Sequence, residues 1–584
     1  MTEQVVKAFS LRLPQQEKKE PAVGSTNPRR LRRWLDELPP MNVLENARQL
    51  FRYLHDLNRC HMRSRARYEL LEILRPHVFY VCDVLEKDFL GHNLVLPDRP
   101  KQSASLAQAL QTYLADGYLI MVRRALAHID EPSVKKALPT LAHRAMVSLR
   151  DTLFRTQLLY FRPPRYLWLT LHQLYVAAEQ HQMLDRNVVD KLVPQASSSV
   201  AAAYSAALLH GVMGANQLRQ SELKRVSPLM VKLANLANIS VRVPEERFFY
   251  INLSADRAPM ARKFLGEQRG RFRYLVTNKL LAELAHEAAQ QKIPNNIVEH
   301  LFENLSGERE RALERQPKKI PLEICFGLSA IHYYLSDGAD FQSSRSVKEV
   351  ANLVGEETNV FLKGEPKPKE KDAWTISFDS SEALRNMDTS GLSAAVSAYS
   401  RQQRPRNTEP RYKKYQCETI DVSAGGYGVA WEKQVPEQLK TGELVAVREQ
   451  LGLGWTIGVV RWVRQQSQGG AEFGIEYLAS QAWPAAVRNL NFSESEHVRA
   501  IVLPELLIQG FETSLLLPSV GFKLGDEVEV VHQGVTETFY LHKVLLRAAG
   551  FVRYELAQQR GESSDKITEK STANAELDVL DSIF

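Results

Sequence analysis

Cysteine is scarce: 584 residues hold four, Cys60, Cys82, Cys325 and Cys417. Their spacing matches neither a disulfide framework nor a zinc knuckle, so a reduced, cytoplasmic setting is expected, with no structural metal. No apolar run is long enough to cross a bilayer, and the first residues lack an apolar stretch followed by a small-residue cleavage site. Direct membrane insertion is therefore not expected, and any recruitment to a cell pole or the inner membrane would go through partners. Catalytic signatures are missing too: there is no G-x-x-x-x-G-K-S/T phosphate loop, no H-E-x-x-H and no G-x-S-x-G elbow. His55, His143, His172 and His210 stand singly in helical stripes, which fits core or surface positions rather than ligands. Neither an enzyme nor a bound cofactor is expected. Neither sign of charge dominates: 75 Lys and Arg against 68 Asp and Glu leave +7, and the two mix along most of the chain. That balance argues against a nucleic-acid polymer as partner and leaves room for a local anion site.

What is present divides by period. After a polar, basic arm (residues 1–40), the stretch from Asn42 repeats apolar residues at three- and four-residue steps: Val43, Leu44, Ala47, Leu50, Phe51, Leu54 and Leu57. This predicts a helix with Asn42 as N-cap. Similar stripes continue with no fixed repeat, so residues 41–338 read as an irregular helical bundle or solenoid, in one or two domains. "ISVRVPEERFFYINLS" alternates around a Pro-Glu-Glu turn and predicts a small β-hairpin insertion, after which "RYLVTNKLLAELAHEAAQQ" reads as helix again. Residues 339–399, rich in Ser, Lys, Glu and Pro, read as a flexible linker.

Beyond residue 400 the period is two. Short alternating segments separated by Gly-containing turns predict a small antiparallel barrel over residues 400–485. A second β domain is expected over 486–560, because "GELVAVREQ" from Gly442 lines up with "GDEVEVVHQ" from Gly525. It carries no counterpart of the polar motifs described next, and it reads as structural or protein-binding. Residues 561–584 read as a disordered acidic tail. Trp431, Trp455 and Trp462 fall in alternating segments, where barrel core or an interface is favoured over base-stacking.

In "RQQRPRNTEPRYKKYQCETIDVSAGGYGVAW", residues 401–431, arginines crowd ahead of a strand that ends in a hydroxyl, a carboxylate and two glycines. Asp421 and Ser423 share parity and so share a face, and Gly425-Gly426 permits a tight turn. Guanidinium groups grip phosphates and stack on flat rings, while a carboxylate accepts from the N–H edge of a guanine. The arginine arm, the D-x-S-x-x-G of Asp421 to Gly426 and the ending "GVVRWVRQQSQGGAEFGIEYL" resemble the PilZ domain family of bacterial cyclic di-GMP receptors, over roughly residues 398–485. The resemblance implies a six-stranded barrel without chemistry of its own, with cyclic di-GMP held by Arg401, Arg404, Arg406, Asp421, Ser423 and Gly426. Arg404 and Arg406 come first among the arginines. The usual arm is R-x-x-x-R, whereas Arg401, Arg404, Arg406 and Arg411 include no pair four apart.

A long helical region joined to such a barrel is similar to pseudomonad effectors of type IV pili and surface attachment. This implies a relay to a protein partner through the helical region or the C-terminal tail. The competing reading is a helical scaffold whose barrel binds no nucleotide.

Overall fold

The computed structural model describes residues 13–39, 41–193, 197–245, 247–261, 270–290, 292–307, 315–338, 341, 412–432, 435–449, 454–466, 469–492, 495–504 and 513–558. These fall into two compact units, one within Met1–Ala312 plus Arg464–Gly469, the other within Leu313–Val463 plus Gly470–Phe584. No helix among the described residues is long and apolar enough to cross a membrane.

The first unit packs helices α1 (Pro28–Asp36), α2 (Val43–Leu57), α3 (Ser64–Phe89), α4 (Asp98–Ala127), α5 (Pro132–Leu158) and α6 (Leu167–Gln180). A two-stranded sheet, β1 (Asn187–Val189) with β2 (Ser197–Ser199), precedes α7 (Val200–Val212) and α8 (Gln220–Lys232). The predicted cap is present: the Asn42 side chain accepts from Glu45 N at 3.1 Å, and Leu50, Leu54 and Leu57 are buried. Arg67 is wholly buried and donates to the Leu57 and Cys60 carbonyls at 2.8 and 2.7 Å, satisfying acceptors that the end of α2 leaves open.

In place of the expected hairpin there is a four-stranded sheet. Strands β3 (Asn238–Ser240), β4 (Phe249–Asn252), β5 (Met260–Ala261) and β6 (Phe272–Val276) lie in the order β3-β6-β4-β5. The two expected hairpin arms both pair with β6, and the start of the predicted helix "RYLV" is that central strand. Alternation decides it: Phe249, Ile251 and Leu275 turn one face onto the helical core. Helices α9 (Asn278–Ala289) and α10 (Asn295–Leu305) follow.

His143, His172 and His210 are buried in this unit, and burial pushes each imidazole down to about 4. His172 Nε2 lies 2.9 Å from the Arg257 carbonyl and Nδ1 lies 2.6 Å from the Tyr204 hydroxyl, so a neutral ring can donate at one nitrogen and accept at the other. Because the folded values are depressed, the unfolded chain binds more protons between about 4 and the ordinary histidine value of 6.5, and stability falls as pH falls through that window. Asp116, pushed up to about 7 by burial, acts in the opposite direction, as does Asp83, while buried His332, also pushed down to about 4, adds to the three imidazoles. Thermal unfolding followed by circular dichroism is expected to give a lower midpoint at pH 5 than at pH 7. An equal or higher midpoint at pH 5 would contradict these assignments.

The second unit holds two barrels. The first is a ring of β9 (Tyr415–Ser423), β10 (Gly426–Trp431), β13 (Ala471–Ala479), β12 (Thr456–Gln465), β11 (Leu444–Arg448) and β8 (Pro321–Phe326), closed by pairing of β8 with β9. A short β7 (Gln316–Pro317) adds to β9, and helix α11 (Leu328–Leu335) follows β8. The barrel is thus not confined to residues 400–485, nor is the span 41–338 helical to its end: β7 and β8 come from residues 316–326. In β8 Leu322, Ile324, Cys325 and Phe326 are buried, whereas Pro321 and Glu323 are not, so the strand alternates only over its first half. Of the expected linker 339–399 only Phe341, which is buried, lies among the described residues. Phe326, Tyr415, Trp431 and Phe473 meet in ring contacts with centroids 5.4 to 6.2 Å apart.

Strands β14 (Trp483–Asn489), β15 (Val498–Leu503), β16 (Ser514–Pro518), β17 (Glu527–His532), β18 (Val535–Arg547) and β19 (Phe551–Ala557) close the second barrel. The sequence match between the barrels has a structural counterpart. Gly442 and Gly525 both take positive φ, 76° and 85°, and Val445, Val447, Val528 and Val530 are all buried. Helix α11 shares a core with residues of both barrels, Leu328 and Ile331 clustering with Leu444, Ile457, Ile501 and Phe551.

Candidate ligand-binding site

The β9–β10 hairpin carries the polar motif. Its register sets Ser423 opposite Gly426 and Asp421 opposite Gly428, and then shifts between Gly428 and Val429, where Thr419 faces Val429. The shift is a β-bulge, which twists a strand and re-aims its side chains. Tyr427, Val429 and Trp431 are buried, while the alternate positions of β10 are Gly426, Gly428 and Ala430, so the opposite face of the strand is nearly bare. Asp421 and Ser423 stand on that face, as their shared parity predicted.

The Asp421 carboxylate is engaged by an arginine from elsewhere in the chain. Arg315 Nη1 donates to Asp421 Oδ1 at 2.5 Å, with the two side chains 28% and 30% exposed. β7 makes the approach possible, because Gln316 pairs with Val422 and Pro317 with Asp421. Gly428 leaves the space they occupy: a β-carbon there would stand closer than 3.0 Å to Asp421 Oδ1. Ser423 Oγ donates to the Gly426 carbonyl at 3.2 Å, which holds the hydroxyl at the turn.

Gly426 is required by close packing. A β-carbon at this position would fall well inside 3.0 Å of the Ile475 carbonyl oxygen, a backbone atom of β13. Gly426→Ala is expected to cost the barrel about 1–3 kcal/mol through overpacking. Denaturant unfolding would check this, and a loss below about 0.5 kcal/mol would contradict the packing argument.

Arg401, Arg404 and Arg406 lie outside the described residues; among those described, the guanidinium at the carboxylate is that of Arg315. The reading of the arm as a cluster just ahead of β9 missed it. The signal was nonetheless present: Arg311 and Arg315 stand four apart, in the R-x-x-x-R spacing that the 401–411 cluster lacks, and Arg315 directly precedes a strand. Among the tryptophans, Trp431 and Trp455 are buried as expected, whereas Trp462 is half-buried. Among the described residues no group of three or more His, Cys, Asp or Glu could hold a metal ion.

A closed antiparallel barrel with D-x-S-x-x-G at one hairpin and an arginine on its aspartate defines a PilZ-type domain, a non-catalytic ligand-binding module. Comparison with known proteins places the chain more closely. Residues 29–245 match the family described as "Cyclic-di-GMP receptor FimW, N-terminal domain", residues 248–484 its "middle PilZ domain", and residues 485–558 the "FimW C-terminal beta-barrel domain". The curated cyclic-di-GMP receptor FimW of Pseudomonas aeruginosa is 30% identical over 581 residues, covering 94% of this chain and 93% of that protein. The chain belongs to the FimW family, a family of receptors rather than enzymes. The middle match begins at residue 248, well ahead of 400, and so includes Arg311, Arg315, β7 and β8. No solved structure matches the chain.

Proposed function

We propose that this chain is a cytoplasmic, non-catalytic receptor for cyclic di-GMP. On this reading it relays the level of that second messenger to a protein partner that controls surface attachment or type IV pilus motility. The observation that supports the reading best is the Arg315 guanidinium set on the Asp421 carboxylate, with Ser423 beside it on the same bare face. Arg315, Asp421 and Ser423 are the proposed ligand groups, with Arg311 from the same R-x-x-x-R. Cyclic di-GMP offers each of them a complement: phosphodiesters for the guanidinium groups and a guanine N–H edge for the carboxylate. Charge-assisted hydrogen bonds contribute about 1.5–3 kcal/mol each, so three or four leave micromolar or tighter binding after association entropy. The helical region, or the C-terminal tail, is the proposed surface for the partner.

Equilibrium titration of the full chain with cyclic di-GMP, in the presence and absence of excess GTP, tests the reading. Saturable binding that GTP does not displace is the expected result. No binding by folded protein would favour the scaffold reading.

A further inference from the structure

We infer that the outward face of α1 is a docking surface for the anionic headgroups of a phospholipid bilayer, holding the protein at a membrane surface without an inserted segment; the inference goes beyond the ligand site and does not depend on it. Four of the first six residues of this nine-residue helix are arginines, Arg29, Arg30, Arg32 and Arg33. At 3.6 residues per turn they share an arc of about 160°, opposite Leu31 and Leu35, which are buried in the helical core. All four are exposed, and among the described residues none has an ion-pair or hydrogen-bond partner for its guanidinium. Asp36, the one acid of the helix, lies within electrostatic reach of His77 on α3 instead. Nearby Lys18, by contrast, is paired, its Nζ standing 2.6 Å from Asp56 Oδ1.

Nothing in the fold favours such a cluster. The N-terminal end of a helix carries partial positive charge, which disfavours cations in its first turns. Arg33 also stands three and four residues from Arg30 and Arg29, the steps at which like charges repel. The arginines thus weaken the helix that carries them, and an anionic surface is what they complement. A nucleic acid or an acidic peptide would meet the charge alone, whereas a bilayer also meets the apolar groups alongside. Met41, five residues past the helix, is 95% exposed, and Tyr80, one turn along α3 from His77, is 63% exposed. An unbranched thioether and a phenol suit the boundary between headgroups and acyl chains. Because Leu31 and Leu35 are committed to the core, α1 has no apolar face to turn into the bilayer, and attachment is chiefly electrostatic. Each cation near an anionic surface strengthens association about fivefold, so four together give roughly several hundredfold, falling as salt rises.

The test is flotation of the full chain with vesicles of phosphatidylcholine and phosphatidylglycerol, about three to one, against vesicles of phosphatidylcholine alone. The unaltered chain is expected to float with the anionic vesicles only, and to be released as salt rises from about 0.05 to 0.5 M. Arg29→Gln, Arg30→Gln, Arg32→Gln and Arg33→Gln together should lower partitioning at least about fiftyfold, while Arg29→Lys, Arg30→Lys, Arg32→Lys and Arg33→Lys together should keep it within about threefold. Since the arginines oppose the helix dipole, the glutamine variant should melt no lower than the unaltered chain, which separates loss of docking from loss of fold. If that variant does not fold, Arg32→Gln alone, with an expected loss of about fivefold, and the salt dependence decide the matter. Three results overturn the inference: no flotation of the unaltered chain, equal flotation of the glutamine variant, or displacement of the vesicles by a single-stranded oligonucleotide at equal charge concentration.

Discussion

Asp421→Ala is expected to weaken cyclic di-GMP binding at least about tenfold, the loss of one charge-assisted hydrogen bond or more. Two effects add. The guanine edge loses its anionic acceptor, and Arg315 loses the group that now orients its guanidinium over the hairpin. Stability should hardly change, because an ion pair with both side chains nearly a third exposed contributes about 0–1 kcal/mol. Asp421→Asn keeps the shape and one acceptor oxygen and should fall between the two. Calorimetry paired with a melting curve separates loss of ligand contact from loss of fold. Unchanged affinity in Asp421→Ala would place the ligand elsewhere.

The second large effect is on stability. Asp190 is 1% exposed and accepts from Arg75 Nη1 and Nη2 at 2.7 and 2.6 Å, while Arg144 Nη1 stands 2.7 Å away. Burial alone pushes the Asp190 carboxyl up, but its Arg75 hydrogen bonds and the charges of Arg75 and Arg144 outweigh that and hold it below the usual aspartate range. Arg75 is itself 2% exposed, so Asp190→Ala would leave a buried guanidinium without its carboxylate. Breaking a buried pair from one side costs about 3–5 kcal/mol, most of it the penalty of the stranded charge. Denaturant unfolding of the helical unit should show a loss of that size. A loss below about 1 kcal/mol would mean that water or another acceptor replaces the carboxylate.

Much of this architecture was legible in the sequence because much of it is local. The Asn42 cap, the Leu50–Leu54–Leu57 stripe and the paired turns at Gly442 and Gly525 each follow from a few adjacent residues. So did the placing of Asp421 and Ser423 on one face, which needs only the two-residue period. What escaped depends on partners distant in sequence. β8 joins β9 and β11 across about a hundred residues, and nothing local announces that pairing. The R-x-x-x-R of Arg311 and Arg315 lies about a hundred residues ahead of β9, and only the pairing of β7 with β9 brings Arg315 to Asp421. "RFRYLV" was absorbed into the following helix because its role as the central strand is set by β3 and β4. For Trp462, alternation could not show that a glycine on the neighbouring strand lies beneath the ring.

The central claim is that the ligand site is assembled from β9, β10 and an arginine more than a hundred positions upstream. The most direct test is calorimetric titration of cyclic di-GMP into the unaltered chain, into Arg315→Ala, and into a chain with Arg401, Arg404 and Arg406 all replaced by alanine. The account predicts saturable binding by the unaltered chain, a loss of at least about tenfold in Arg315→Ala, and a smaller loss in the triple variant. Arg315→Ala binding as tightly as the unaltered chain, with affinity lost in the triple variant instead, would contradict it.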